Sequence, residues 1–123
     1  MTRITLAAAS VLCAVSAMAA EPQVVHPLDG VACTVLNVPE AQLADRHGPG
    51  VPILADPRPD AATLVTASNI VFAKTPRHVV NGYAEVVTLD NRPGWIAADK
   101  IRPFDPLARC VPSLMSNGRV GAG

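Results

Sequence analysis

The side chains suited to nucleophilic or metal chemistry are few: three cysteines and three histidines in 123 residues. A Cys–His nucleophile normally has its cysteine at the start of a helix, where the helix N-terminus lowers the thiol pKa. Cys33 instead lies in Ala32-Cys33-Thr34-Val35-Leu36, a β-branched apolar run with no helix to activate it, so pairing it with His47 or His78 makes no nucleophile. His26, His47 and His78 are isolated from one another and from any carboxylate spacing that suggests a metal site, and they read as surface or loop residues. The acid pair Asp56 and Asp60 flanks Pro57 and Pro59, which is turn chemistry before it is acid–base chemistry. These residues predict a non-enzymatic chain with no metal and no cofactor.

The elements that must position them begin with an export signal. Residues 1 to 20 carry one charge, Arg3, then an apolar stretch from Ile4 to Met18, and Ala17-Met18-Ala19 supplies the small residues that a signal peptidase needs. This reads as a signal peptide cleaved near Ala19 or Ala20, its apolar run of about 15 residues being shorter than the roughly 20 that span a bilayer. Cys13, behind bulky Val11 and Leu12, is not placed as a lipoprotein cysteine. Cleavage removes Arg3 and Cys13, so ten basic residues become nine against ten acidic ones and three cysteines become two. That balance gives no footing for nucleic acid or an anionic membrane surface, and no stable membrane insertion after cleavage is expected. A periplasmic or secreted location makes the remaining pair a disulfide, Cys33 to Cys110, because two thiols in an oxidising compartment most simply bridge.

The mature chain, of a size for one domain, reads as a series of short strands. Residues 21 to 31, with Pro22 and Pro27, form an extended lead-in. Residues 32 to 38 make a first strand, ended by Pro39, and Glu40 to Asp45 allow one short helical turn before Gly48-Pro49-Gly50. Residues 32 to 50 belong either to the folded barrel or to an added flap. Val51 to Ala55 is the next strand, followed by the rigid loop Asp56-Pro57-Arg58-Pro59-Asp60. Thr63 to Lys74 is a third strand, with a polar pause at Thr66 to Asn69 that allows a split into two. Ile70 and Phe72 face one way, Val71 and Ala73 the other. Asn81-Gly82 is the strongest turn dipeptide and leads into Tyr83 to Leu89, which the turn Asp90 to Gly94 connects to Trp95-Ile96. Strands at intervals of about ten residues, with no helix long enough to cross over, predict an all-β fold. Residues 105 to 123 read as a tail tethered at Cys110 and disordered from Ser116 onward.

The segment from about Gly50 to Phe104 resembles the bacterial SH3-like (SH3b) family, chiefly through Asn81-Gly82-Tyr83-Ala84-Glu85-Val86, a turn, and Gly94-Trp95-Ile96. Leu54 to Asp60 stands where that family usually has an Asn-Val-Arg-x-Gly-Pro type of loop, with its Arg and Gly out of register here. The resemblance implies a small barrel of about five strands over residues 32 to 104. Alternation turns Ala84, Val86 and Ile96 inward, Ile101 plugs the barrel, and Tyr83, Glu85 and Trp95 face away. In SH3-like barrels that outward side borders the ligand groove, so the resemblance makes Tyr83 and Trp95 contact residues, with Arg92 and Glu85 beside them. The competing reading has both rings simply covering a terminal segment. Ala97 and Lys100 replace the Pro and second Tyr that grip polyproline helices in eukaryotic SH3 domains, so PxxP recognition is not expected. The function implied is an exported, non-catalytic module binding cell-wall glycan or peptide, or an envelope protein. The alternative is a structural or inhibitory partner subunit of a periplasmic protein, acting through an exposed strand edge or the Asp56 to Asp60 loop.

Overall fold

Asn81 and Gly82 both adopt positive φ, 52° and 80°, in the computed structural model, which describes residues 21–123. That conformation gives a two-residue hairpin turn whose twist matches its strands. The signal-peptide reading of residues 1 to 20 lies outside the described residues. The elements in chain order are β1 (Val24–Pro27), β2 (Val31–Leu36), α1 (Glu40–Ala44), β3 (Pro52–Leu54), β4 (Thr63–Thr66) and β5 (Ile70–Lys74). They continue with β6 (Val79–Val80), β7 (Tyr83–Val87), β8 (Pro93–Ala97), a 3-10 turn (Ala98–Lys100), β9 (Ile101–Pro103), β10 (Pro112–Met115) and β11 (Val120–Ala122). The polar pause at Thr66 to Asn69 does separate two strands, and the helix is one short turn. Among the described residues no helix is long and apolar enough to cross a membrane.

The main sheet runs β4-β3-β8-β7-β5-β2-β9, with β6 hydrogen-bonded to β7, and its pairings are antiparallel. This corrects the expectation of a closed barrel of about five strands. The sheet is larger and it stays open, because among the described residues β4 pairs only with β3 and β9 only with β2. Its inner face carries one apolar cluster that includes Leu36, Val51, Ile53, Val71, Ala84, Val86, Ile96 and Ile101. Ala84, Val86 and Ile96 have no exposed surface, so the inward alternation of β7 and β8 is as read from the sequence. Burying a side chain such as Ile96 contributes roughly 1.5–3 kcal/mol. Gly94 is required here by close approach: a Cβ built on it would lie 2.5 Å from Ile53 Cγ2.

The outer face of β2 and β5 carries a second cluster. Cys33, Phe72 and Val120 are its buried members, with Ile70, Val87, Phe104 and Cys110 packed against them. Cys33 and Phe72 are cross-strand partners, and Cys33 is bonded to Cys110 across a Cα–Cα distance of 6.2 Å. The expectation of a disordered end is corrected: β10 and β11 pair with each other, and β1 pairs with β10, in a three-stranded sheet. Val120 N–H donates to Leu89 O at 2.8 Å, tying that sheet to the end of the β7–β8 hairpin. The lead-in and the tail are therefore one structural layer, formed by two segments remote in sequence. Thr34 is buried in the sheet with its hydroxyl donating to Val71 O at 2.7 Å. Among the described residues no buried side-chain nitrogen or oxygen lacks a hydrogen-bond partner.

Candidate functional site

Side chains directly opposite on neighbouring strands share a face, and the register of β3, β8, β7 and β6 builds two rows on the outer face. Leu54 pairs with Trp95 and Trp95 with Glu85, while Glu85 N–H donates to His78 O at 2.8 Å, so Leu54, Trp95, Glu85 and His78 form one row. Ala97, Tyr83 and Val80 form the next. Tyr83 and Trp95 are therefore diagonal neighbours on one face, with Glu85 directly opposite Trp95 and two residues along β7 from Tyr83. Both rings and Glu85 are half-buried.

His78, expected to be isolated, is not. Its ring centroid lies 5.6 Å from that of Trp95 with the planes at 60°, an edge-to-face contact, and its Nδ1 is 3.7 Å from Glu85 Oε2. The side chain remains 60% exposed, so it is a surface residue in contact with the site rather than part of a core. The signal was present in the turn: a two-residue Asn81-Gly82 hairpin makes residues 78 and 85 opposite partners.

Beside the second row runs a groove of about 420 Å³, bordered by Tyr83, Leu54, Pro52, Pro59, Ala97 and Lys100, and also by Gln42 and Pro49. The groove wall at Pro59 is part of the Asp56 to Asp60 loop. Arg58 lies 3.6 Å from Asp56 and 3.4 Å from Asp60, exposed pairs that add little stability. The more definite tie is Asn81 Nδ2 donating to Pro57 O at 3.1 Å, which fixes the loop against the β6–β7 turn. Lys100 forms no ion pair among the described residues, leaving one free cation at the groove edge.

Arg92 is elsewhere. Tyr83 and Ala97 end the β7–β8 ladder on one side and Val87 and Pro93 on the other, and Arg92 belongs to the turn beyond the latter. Its Nε lies 2.6 Å from Asp90 Oδ2, and its backbone N–H donates to Thr88 Oγ1 at 3.0 Å. Thr88 in turn donates to Asp90 Oδ1 at 2.5 Å. The Thr88 hydroxyl, more than Arg92, holds the Asp90 carboxyl below its ordinary pKa. Arg92 is thus occupied within its own turn, while Tyr83, Trp95 and Glu85 are brought together.

The terminal strands bear on which face is free. Their cluster takes in Val87 and Phe72 but neither Tyr83 nor Trp95, so the tail covers one half of the outer face and leaves the aromatic half. On the aromatic half the bordering residues come instead from the segment around Gln42, Pro49 and Gly50, which borders the groove. Cys33 and Cys110 are joined, so neither is a free thiol for nucleophilic attack. Among the described residues no cluster of three or more His, Cys, Asp or Glu could hold a metal ion. Comparisons with protein-family models, with curated proteins and with solved structures return no match to this chain.

Proposed function

We propose that the chain is an exported, non-catalytic SH3-like binding module that holds a cell-envelope component, peptidoglycan or an envelope protein, on the aromatic half of its outer face. One observation carries this: the terminal sheet covers the Phe72 and Val87 half of that face, while the only Tyr and the only Trp remain half-exposed on the other. The adjoining groove supports the same reading. Leu54, Tyr83 and the prolines offer rigid apolar contact area and Lys100 offers charge at the groove, while Glu85 offers charge opposite Trp95. The SH3-like assignment applies to residues 50 to 104 and rests on the Asn81 to Val86 and Gly94 to Ile96 segments; the sheet in which they lie is open rather than a closed barrel.

The test is co-sedimentation of the mature, disulfide-bonded protein with purified sacculi, alongside Tyr83→Ala and Trp95→Ala. Binding that both substitutions reduce at least tenfold, with the fold retained, supports the glycan or peptide version. Protein left wholly in the supernatant removes it. The open sheet also favours the second reading, a partner subunit of a periplasmic protein, because β4 and β9 each leave one edge unpaired. Capture of one stoichiometric partner from periplasm supports that reading, and its absence counts against it.

A further inference from the structure

We propose that the cleft bordered by β4, β5 and the end of the β7–β8 hairpin is a second binding site, for a small carboxylate with a ring-sized apolar body. Among the described residues β4 pairs only with β3, and β4 and the connection from it to β5 border a cleft of about 180 Å³. Val65 borders the cleft from β4, Ile70 and Phe72 from β5, and Val87 and Leu89 from the end of the β7–β8 hairpin. Ile53 and Val71, both buried in the inner cluster, also border it, so the cleft reaches from the outer cluster toward the inner one. An apolar cavity of about 150 Å³ accommodates a benzene ring, which sets the size class of the occupant.

The mouth supplies the charge. Asp90 and Arg119 both border the cleft. Asp90 is already matched, by Arg92 at 2.6 Å and by the Thr88 hydroxyl. Arg119 has no carboxylate within ion-pair distance among the described residues. Nor is its position loose. The β10–β11 turn places it through Met115 N–H donating to Arg119 O at 2.8 Å and Arg119 N–H donating to Asn117 Oδ1 at 3.0 Å. The neighbouring Val120 N–H to Leu89 O bond fastens that turn to the hairpin end. One uncompensated guanidinium beside an apolar cleft selects an anion, and its planar fork matches a carboxylate. Thr66 and Ser68 also border the cleft and offer hydroxyls. The site lies at the Val87 and Pro93 end of the β7–β8 ladder, away from the Tyr83 and Ala97 end, so it stands or falls independently of the groove.

The probe is phenylacetate, titrated into the uniformly labelled, disulfide-bonded mature protein and followed by backbone amide NMR, with benzylamine as the cation of similar shape. The expected result is saturable shifts confined to residues 65–72, 87–90 and 119, with a dissociation constant of about 1 mM or tighter. Arg119→Gln, a change in an exposed turn, should weaken binding about tenfold while the amide spectrum shows the fold intact. Three results overturn the proposal: no saturable shift by about 10 mM, benzylamine binding as well as phenylacetate, or Arg119→Gln binding unchanged. Shifts that gather instead at Tyr83 and Ala97 also overturn it, since they assign the carboxylate to the groove.

Discussion

Removing the Cys33–Cys110 bridge, as Cys33→Ala with Cys110→Ala, is the perturbation whose size the structure allows to be worked most directly. The cysteines are 77 residues apart. Closing a loop of that length removes about 15 cal/mol/K of entropy from the unfolded chain, about 4.5 kcal/mol at room temperature, with measured losses in small secreted domains of about 2–5 kcal/mol. Against a total stability of about 5–15 kcal/mol this is a large fraction. In urea, with a slope of about 1.5 kcal/mol/M for a chain of this size, the midpoint should fall by about 1.3–3.3 M. The bridge also joins β2 to Cys110, two residues before β10, so the loss should be uneven. Amide exchange at Val120 and Gly123, whose N–H groups bond Leu89 O and Val111 O, should accelerate more than exchange within β7 and β8. A stability change under about 1 kcal/mol, or equal acceleration throughout, refutes the view that the bridge fastens the terminal sheet over Phe72.

Gly94→Ala should destabilise by about 1–3 kcal/mol, because the new methyl meets the branched Ile53 side chain at 2.5 Å; an unchanged urea midpoint contradicts that packing. Asp90 has a folded pKa below its ordinary 3.8, so it contributes stability that is present above that value and lost as pH falls through the lowered one. Urea midpoints of the wild type should therefore drop more steeply below about pH 4 than those of Asp90→Asn, and parallel curves refute the linkage. Trp95→Ala and Tyr83→Ala remove half-buried rings, so each should cost less than the about 3–5 kcal/mol typical of a core aromatic; a loss in that range identifies them as core.

The parts of the fold legible in the sequence are those set by neighbours along the chain. Alternation in Tyr83 to Val87 and Gly94 to Ile96 identified the buried side of both strands, and Asn81-Gly82 identified the turn between β6 and β7. The two remaining cysteines identified the bridge. What depended on distant partners was not legible. Ser113 to Met115 and Val120 to Ala122 lack the β-branched density of a strand, and Gly118 suggests disorder. They become strands because Val24 to Pro27 lies alongside and Gly121 lets Met115 approach to 3.1 Å of where a Cβ would stand. Closure of the sheet likewise depends on its edge strands, β4 and β9, which are remote in sequence, so no local pattern encodes it. Of the candidate site, Tyr83, Glu85 and Trp95 were legible from alternation. Arg92 was misplaced because proximity in sequence to Trp95 hid the length of the ladder between it and Tyr83. His78 was recoverable from hairpin arithmetic alone.

Trp95 is the only tryptophan, so its emission reports on the aromatic half of the outer face and on nothing else in the chain. Titrating the protein, as residues 21–123, with soluble peptidoglycan fragments, and separately with fractionated periplasmic proteins, while recording that emission tests the central claim. A saturable spectral change with one of them, abolished by Tyr83→Ala and untouched by Arg119→Gln, is the predicted result. Emission that stays constant while either material demonstrably binds the protein contradicts the account, because binding would then occur on another surface.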